Sequence, residues 1–239
     1  MILAGVNFTL YVLLLKRNFS KLFANEELKY YLAITFVATL LVFAVLLISK
    51  QYVDVELAFR DSLFQTVSIL TTTGYATTDY LTWHHAGLAI IILTMFIGAS
   101  SGSTTGNIKI IRHVLVVKNL RVFIKRMIHP DAVSVVRYNK IIIPLETANN
   151  ALVFILAYIV ITVLSVIIIS FTGIDLDTSI GAVVATIGCI GPGIGDVGPT
   201  GNYAEFHTFG KYYLTFLMFL GRLEIFTVII LFTRSFWKG

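Results

Sequence analysis

Two apolar runs without a single charged side chain, Tyr30–Ser49 and Thr147–Phe171, constrain this chain more than any other feature in it. Each reaches the roughly 20 residues that a helix needs to cross a bilayer. With 57% hydrophobic and 13% charged residues, the chain is far more apolar than a soluble domain of 239 residues. A membrane protein is therefore expected, and the length suffices for one membrane domain.

Each run is followed by the same series of segments. In the first unit, polar Lys50–Arg60 leads into amphipathic Asp61–Leu70, then into Thr71-Thr72-Thr73-Gly74-Tyr75-Ala76-Thr77-Thr78-Asp79. In the second, Asp175 and Asp177 lead into Thr178–Ile187, then into Gly188-Cys189-Ile190-Gly191-Pro192-Gly193-Ile194-Gly195. Gly74 lies 44 residues beyond Tyr30, and Gly191 lies 44 beyond Thr147, so the two units share one pitch. The short helices cannot cross, and the glycine turns that follow are not helical. Irregular backbone is tolerated at membrane depth only where protein or a water-filled cavity surrounds it, which predicts re-entrant loops. A further apolar run closes each unit: Ala86–Ile97, broken at Gly98-Ala99-Ser100-Ser101-Gly102-Ser103-Thr104-Thr105-Gly106, and His207–Thr233. Repeats of this kind place a transport site where they meet.

The fold class predicted is an all-α membrane protein with two span–re-entrant pore loop–span repeats, preceded by the end of an earlier helix, Met1–Leu15. The expected divisions are 1–28 for that helix end and a cytoplasmic link, 29–146 for the first repeat with its broken second helix and basic segment, and 147–239 for the second repeat.

Charge sets the orientation. Segments 1–29, 109–140 and 234–239 hold four, eight and two Lys/Arg, 14 of the chain's 18. The opposite loops hold eight acids: Asp54, Glu56, Asp61, Asp79, Asp175, Asp177, Asp196 and Glu205. Lysine and arginine favour the cytoplasm, so both glycine turns face outward, beneath an acidic vestibule that concentrates cations. The net charge of +5 is thus explained by topology and implies no nucleic acid. The basic 109–140 segment enforces topology first, with anionic lipid or a regulatory protein as further readings. The single cysteine, Cys189, excludes an intrachain disulfide framework, and no signal peptide is expected. Trp83 and Trp237 read as interface anchors.

The Thr-rich turn ending in Gly-Tyr reads as a narrow passage lined by carbonyl and hydroxyl oxygens that replace the water around a small cation, potassium. The Gly98–Gly106 break lacks the Lys-Ser or Lys-Thr of a phosphate loop. It does contain Gly-x-Ser-x-Gly at Gly98–Gly102, which leaves open an intramembrane serine hydrolase using Ser100. That reading needs a histidine beside the serine, yet His84, His85 and His207 fall at outer span ends, and His113 and His129 in the basic segment. A break this long exposes many backbone groups, so it should line a cavity. Arg222 falls in the middle of the last run, where a charge signals function. Glu224, two residues on, cannot face it on a helix and is expected to bond to a neighbouring helix.

Thr72-Thr73-Gly74-Tyr75, the Gly98–Gly106 break followed by Ile108-Lys109, the Cys189-Ile190-Gly191-Pro192-Gly193 turn and Gly221-Arg222-Leu223-Glu224-Ile225-Phe226 together resemble the Trk/Ktr/HKT potassium-transporter superfamily, and within it the bacterial TrkH-type membrane subunit. The resemblance runs the length of the chain in order. It implies a subunit of four repeats around one pore, with the third and fourth present here and Met1–Leu15 closing the second. It implies filter residues Thr72, Thr73, Gly74, Tyr75, Cys189, Ile190, Gly191 and Pro192, with potassium held at Thr72, Thr73, Ile190 and Gly191. Gly98–Gly106 becomes a gating loop and Arg222 a pore charge below the filter. The resemblance further implies a multi-pass protein of the inner membrane, embedded in lipid. It works as a homodimer with a cytosolic nucleotide-binding regulatory subunit, transports K+ and has no covalently bound cofactor. One glycine per filter strand, against the paired glycines of Thr-Val-Gly-Tyr-Gly filters, leaves room for Na+. Two repeats cannot enclose a fourfold pore, so the chain is expected to need the remaining repeats. A non-conducting fragment and the Ser100 hydrolase stand as the alternatives to transport.

Overall fold

The structure is a computed structural model that describes residues 1–130 and 134–237. Lys238, one of the cations assigned to the inner side, lies outside the described residues, as do 131–133 of the basic segment. Eleven helices are present among the described residues: α1 Phe8–Leu15, α2 Phe19–Ala24, α3 Glu26–Ile48, α4 Val55–Leu70, α5 His85–Thr94, α6 Ile110–Ile128, α7 Leu145–Ser170, α8 Leu176–Ile187, α9 Thr208–Arg222, α10 Ile225–Leu231 and α11 Arg234–Trp237.

Helices α3 and α7 are each long and apolar enough to cross a membrane, and α9 with α10 forms a third candidate if the bent pair counts as one span. At 1.5 Å per residue the two intact helices are about 34 and 39 Å long. Their faces are sorted in a way that suits lipid. The buried stripe of α7 carries Tyr158, Thr162 and Ser165, whereas Leu152, Val153, Leu156, Ile159, Val160 and Val163 are exposed. Helix α3 likewise buries Thr35 and Thr39 and exposes Leu32, Phe36, Val37, Leu40 and Leu41. In water this arrangement would leave the apolar face uncovered. In hydrocarbon it places hydroxyls where they bond back to the helix, as Thr35 and Thr162 do to the carbonyls of Tyr31 and Tyr158, both at 2.8 Å.

The helices form two groups, α3 packed on α4 and α5, and α8 packed on α7 and α9, joined where α6 lies along α7. The caps of the two groups correspond. Asp54 and Asp175 cap α4 and α8 through their carboxylates, and His84 and His207 cap α5 and α9 through Nδ1. The short helices α4 and α8 end at Leu70 and Ile187, 117 residues apart, the interval that also separates Gly74 from Gly191.

Several sequence expectations need correction. Met1–Leu15 is not one helix: a 3-10 turn at Leu3–Gly5 precedes α1, whose start is set by Asn7 accepting the amide of Thr9. Helix α5 stops at Thr94, short of Ile97, where Asn107 Nδ2 donates to the carbonyl of Met95 and the Gly98 amide to the carbonyl of Ile108 at 2.8 Å. His207–Thr233 is not continuous, because α9 and α10 meet at 110°. The all-α expectation overlooks a two-stranded antiparallel hairpin, β1 Val136–Tyr138 and β2 Ile141–Ile143. Its turn residues Asn139 and Lys140 both have positive φ, +49° and +65°, which suits the twist of a two-residue hairpin loop. Trp83 is not at a lipid interface: it is 5% exposed and packs edge-on against Tyr80.

Candidate functional site

The first glycine turn is built on α4. Its end is closed by Thr71 N to Val67 O (2.9 Å), Thr72 N to Ile69 O (2.9 Å) and Thr73 N to Ser68 O (2.8 Å). Thr72 (φ +51°) and Gly74 (φ +78°) then turn the chain back along the helix it came from. A buried polar stripe at helical spacing, Asp61, Gln65 and Ser68, holds the returning limb. Ser68 Oγ donates to Tyr75 O at 2.6 Å, Gln65 Nε2 to Thr78 O at 3.0 Å, and Thr77 Oγ1 to Asp61 Oδ1 at 3.1 Å.

The second turn repeats the three amide bonds to the helix end, without the side-chain braces of Gln65 and Ser68. Gly188 N reaches Val184 O (3.0 Å), Cys189 N reaches Thr186 O (3.0 Å) and Ile190 N reaches Ala185 O (2.9 Å). Cys189 (φ +54°) and Gly191 (φ +114°) stand 117 residues after Thr72 and Gly74. The turns also touch, because a Cβ on Gly74 would run into the carbonyl of Ile190 and approach Pro192 Cδ at 3.1 Å. Tyr80 Oη donates to Gly193 O at 2.6 Å, tying the first unit's outer segment to the second turn. Tyr203 Oη donates to Gly191 O at 3.0 Å. Burial pushes the Tyr203 hydroxyl up to about 12, so it remains a donor at neutral pH.

These turns spend their amides on the helix ends and leave oxygens over. Among the described residues no donor reaches the carbonyls of Thr71, Thr72, Thr73, Gly74, Gly188, Cys189 or Ile190. Carbonyls left over in this way are available to a cation, and rings of them replace its hydration shell. The C-terminal ends of α4 and α8 add negative partial charge at the same place. Of the four residues assigned to potassium, Thr72, Thr73 and Ile190 have free carbonyls, whereas that of Gly191 already accepts one bond. Thr73, Tyr75 and Gly191 are exposed.

The Gly98–Gly106 segment packs directly against both turns. The Gly106 amide donates to Thr72 Oγ1 at 2.9 Å. A Cβ on Gly106 would lie 2.7 Å from Gly188 O and 3.0 Å from Cys189 Cβ. Its base is closed by Gly98, where a Cβ would lie 2.6 Å from Gly106 O, and by Ile110 N bonding Ala99 O at 3.1 Å. Its tip is held by the N-terminal segment, through Phe8 N to Gly102 O (3.1 Å) and Ser100 N to Gly5 O (3.0 Å). Glu27 of α3, 2% exposed, accepts both the amide of Ser101 (2.5 Å) and its hydroxyl (2.9 Å). Within the loop, Ser103 Oγ donates to Ser100 O at 2.5 Å and meets Thr105 Oγ1 at 2.8 Å, and Lys109 Nζ bonds the Thr105 carbonyl.

Arg222 ends α9 rather than standing mid-span, and it is exposed. Its Nη1 donates to Thr104 O at 2.8 Å, so a fixed charge contacts the loop. Glu224 takes φ +62° at the bend, and its carboxylate pairs with Arg112 of α6 at 2.5 Å instead of with Arg222. The bend has a steric counterpart at Gly221, where any Cβ would collide with the carbonyl of Ile187.

The hydrolase reading does not survive. Ser100 is fully buried, and its Oγ has no hydrogen-bond partner among the described residues, histidine included. The residues that sequence reasoning missed are the braces: Asp61, Gln65 and Ser68 behind the first turn, Tyr80 and Tyr203 on the second, and Glu27 under the loop. The first three were legible as polar residues at i, i+4 and i+7 on a helix between apolar segments.

Comparison with known proteins follows the same outline. The TrkH family profile, described as cation transport protein, matches residues 30–238. The Trk system potassium uptake protein TrkH of Halomonas elongata is 37% identical over 179 residues, covering 75% of this chain and 37% of that protein. The TrkH of Escherichia coli K12 is 30% identical over 239 residues, covering 100% of this chain and 49% of that protein. The crystal structure of the potassium transporter TrkH from Vibrio parahaemolyticus superposes with a TM-score of 0.91 at 32% identity, covering 99% of this chain and 51% of that one. The chain thus spans about half the length of the relatives it matches, or less.

Proposed function

The chain belongs to the TrkH cation transport protein family, and on that premise we propose that it forms two of the repeats around a potassium-uptake pore. Each repeat is a span, a re-entrant loop and a second span. The filter strands are Thr72–Tyr75 and Cys189–Pro192, and K+ exchanges its water for their carbonyl oxygens. The remaining repeats complete the ring where Thr73, Tyr75 and Gly191 are exposed. The observation that carries this reading is the duplicated turn: identical amide-to-helix bonds and positive-φ positions 117 residues apart, abutting at Gly74 and Ile190, with their carbonyls free.

The Gly98–Gly106 loop is the gate. It closes the inner side of the filter through Gly106 and is poised by Arg222, whose charge opposes a cation below the filter. The protein resides in the inner membrane, with its basic segments cytoplasmic. It acts as a homodimer with a cytosolic nucleotide-binding regulatory subunit, holds no covalent cofactor, and its single glycine per strand lets Na+ compete. No covalent chemistry is part of the cycle.

The test is rescue of potassium-limited growth in a host lacking its own uptake systems. Co-expression of this chain with the first two repeats of a relative should restore growth and rubidium uptake, and a Gly74→Ala version should not. Rescue that is indifferent to Gly74 would remove the filter from this site. Failure of every combination despite membrane insertion would favour a non-conducting role.

A further inference from the structure

Helices α6 and α7 diverge on the face where the chain's lysines and arginines gather, leaving a groove of about 560 Å3 between them. Its walls are apolar: Leu120 and Phe123 on α6, Leu145 and Leu152 on α7, all exposed. Its floor is polar, since Asn119 Nδ2 donates to Asn149 Oδ1 at 3.1 Å across the two helices. One end is cationic. Val116, Leu120 and Phe123 follow the i, i+4, i+7 stripe of α6, and Arg126 stands on that stripe one turn further. Arg126 Nη2 donates to Ser134 O at 2.7 Å, its one hydrogen bond among the described residues.

Basic residues outnumber acidic ones around the groove among the described residues. Arg121, Lys125 and Arg126 have no acid within ion-pair distance among the described residues, and Lys118, further along α6, is paired with Glu26. Glu146 in the first turn of α7 is the nearest acid in sequence on the opposite wall, and it has no cation within ion-pair distance among the described residues.

We propose that this groove binds an anionic phospholipid, with an acyl chain between Leu120, Phe123 and Leu152 and the phosphate at Arg126. Three features favour a lipid. The α7 wall continues into Val153, Leu156 and Ile159, which are exposed along a helix fit to span the bilayer, so the groove opens onto a surface that acyl chains cover. The cationic residue stands at one end only, beyond Phe123, matching the polarity of a lipid molecule. A second copy of this chain is disfavoured, because a two-fold contact centred there would bring Arg121, Lys125 and Arg126 against their own copies. Basic residues at the cytoplasmic ends of spans attract anionic headgroups at close range.

The protein purified from its membrane in mild detergent is titrated with phosphatidylglycerol and with phosphatidylcholine, and bound lipids are counted by native mass spectrometry. Phosphatidylglycerol should be retained preferentially. Arg126→Gln should lower that preference about fivefold, Arg126→Lys should keep it, and Phe123→Ala should weaken both lipids alike. These positions are exposed, and an unchanged melting temperature confirms that each variant folds. Equal retention of the two lipids by the unmodified protein overturns the proposal, as does a preference that survives Arg126→Gln. Leu120→Glu separates the remaining occupant. If it changes the oligomeric mass and leaves lipid counts alone, the groove is a contact between copies and the proposal fails.

Discussion

Thr72 and Gly106 are bonded side chain to backbone, the Gly106 amide donating to Thr72 Oγ1 at 2.9 Å, so the first glycine turn and the loop beneath it form one unit. Gly106 rests at the same time on Gly188 and Cys189 of the second turn. A single residue without a side chain therefore joins the loop to both turns. Any movement of the loop away from the two turns has to break this contact.

Thr72→Val keeps the shape and the branching of the side chain and removes the acceptor. It leaves the buried Gly106 amide unsatisfied in the closed arrangement, a cost of about 1–3 kcal/mol. The observed packing of the loop should be disfavoured by roughly fivefold or more, and, if the loop gates the pore as proposed, rubidium influx into proteoliposomes should rise accordingly. Thr72→Ser, which retains the hydroxyl, should behave as the unmodified protein. Equal influx in all three would mean that the bond does not hold the loop.

The two turn glycines, Gly74 and Gly191, should not be equally sensitive. At Gly74 a methyl group meets the Ile190 carbonyl and the Pro192 ring, and φ is +78°. At Gly191 φ is +114°, but the nearest atom to a new Cβ is Gly74 Cα at 3.8 Å. Gly191→Ala then carries backbone strain of about 1–3 kcal/mol, while Gly74→Ala adds a collision between the two turns. Thermal unfolding and uptake should both be impaired more by Gly74→Ala. A larger loss at Gly191 would contradict the contact between the turns.

Most of this organisation was legible in the sequence, for a physical reason. Lipid exposure makes hydrophobicity a direct record of span length, so α3 and α7 were placed nearly to their ends, and the shared pitch located both turns. What escaped were features fixed by single backbone torsions. Glu224, at φ +62°, breaks α9 from α10, yet nothing in Arg222-Leu223-Glu224-Ile225 marks a stop. Asn107, at φ +66°, occupies the corresponding place 117 residues earlier, so the repeat itself carried a signal that inspection of one half could not give. The hairpin was readable in principle, because Asn139-Lys140 before three isoleucines is turn chemistry followed by β-branched residues, but the dense charge around it was read for topology alone. Glu27 was hidden among the link residues at the start of α3, since its partner Ser101 is 74 residues away.

Glu27 anchors the loop at Ser101, three residues before the Thr104 carbonyl that Arg222 bonds. Its carboxylate accepts the amide and the hydroxyl of Ser101 at 2.5 and 2.9 Å while almost fully buried. Bonds to a charged acceptor contribute about 1.5–3 kcal/mol each. Ser101→Ala removes one and should lower stability modestly. Glu27→Ala removes both and should produce the larger fall in melting temperature together with raised basal ion flux. If Glu27→Ala and Ser101→Ala are indistinguishable in both readouts, the Ser101 amide bond contributes nothing to holding the loop.

Arg112 joins three elements, pairing with Glu224 at the α9–α10 bend and lying over the ring of Phe154 on α7 at 3.9 Å from its centre. The Glu224 side chain is 49% exposed and that of Arg112 21%, so the ion pair itself should contribute no more than about 1 kcal/mol. The contact with Phe154 adds about 1 kcal/mol that Glu224 does not share. Arg112→Gln should therefore destabilise more than Glu224→Gln, and the charge-swapped pair Arg112→Glu with Glu224→Arg should recover the ion-pair part alone. A double-mutant cycle on melting temperature, repeated in a Phe154→Leu background, separates the two contributions. In that background the two single variants should become equal. A difference that persists would mean that Arg112 acts through some other contact at the inner end of the loop.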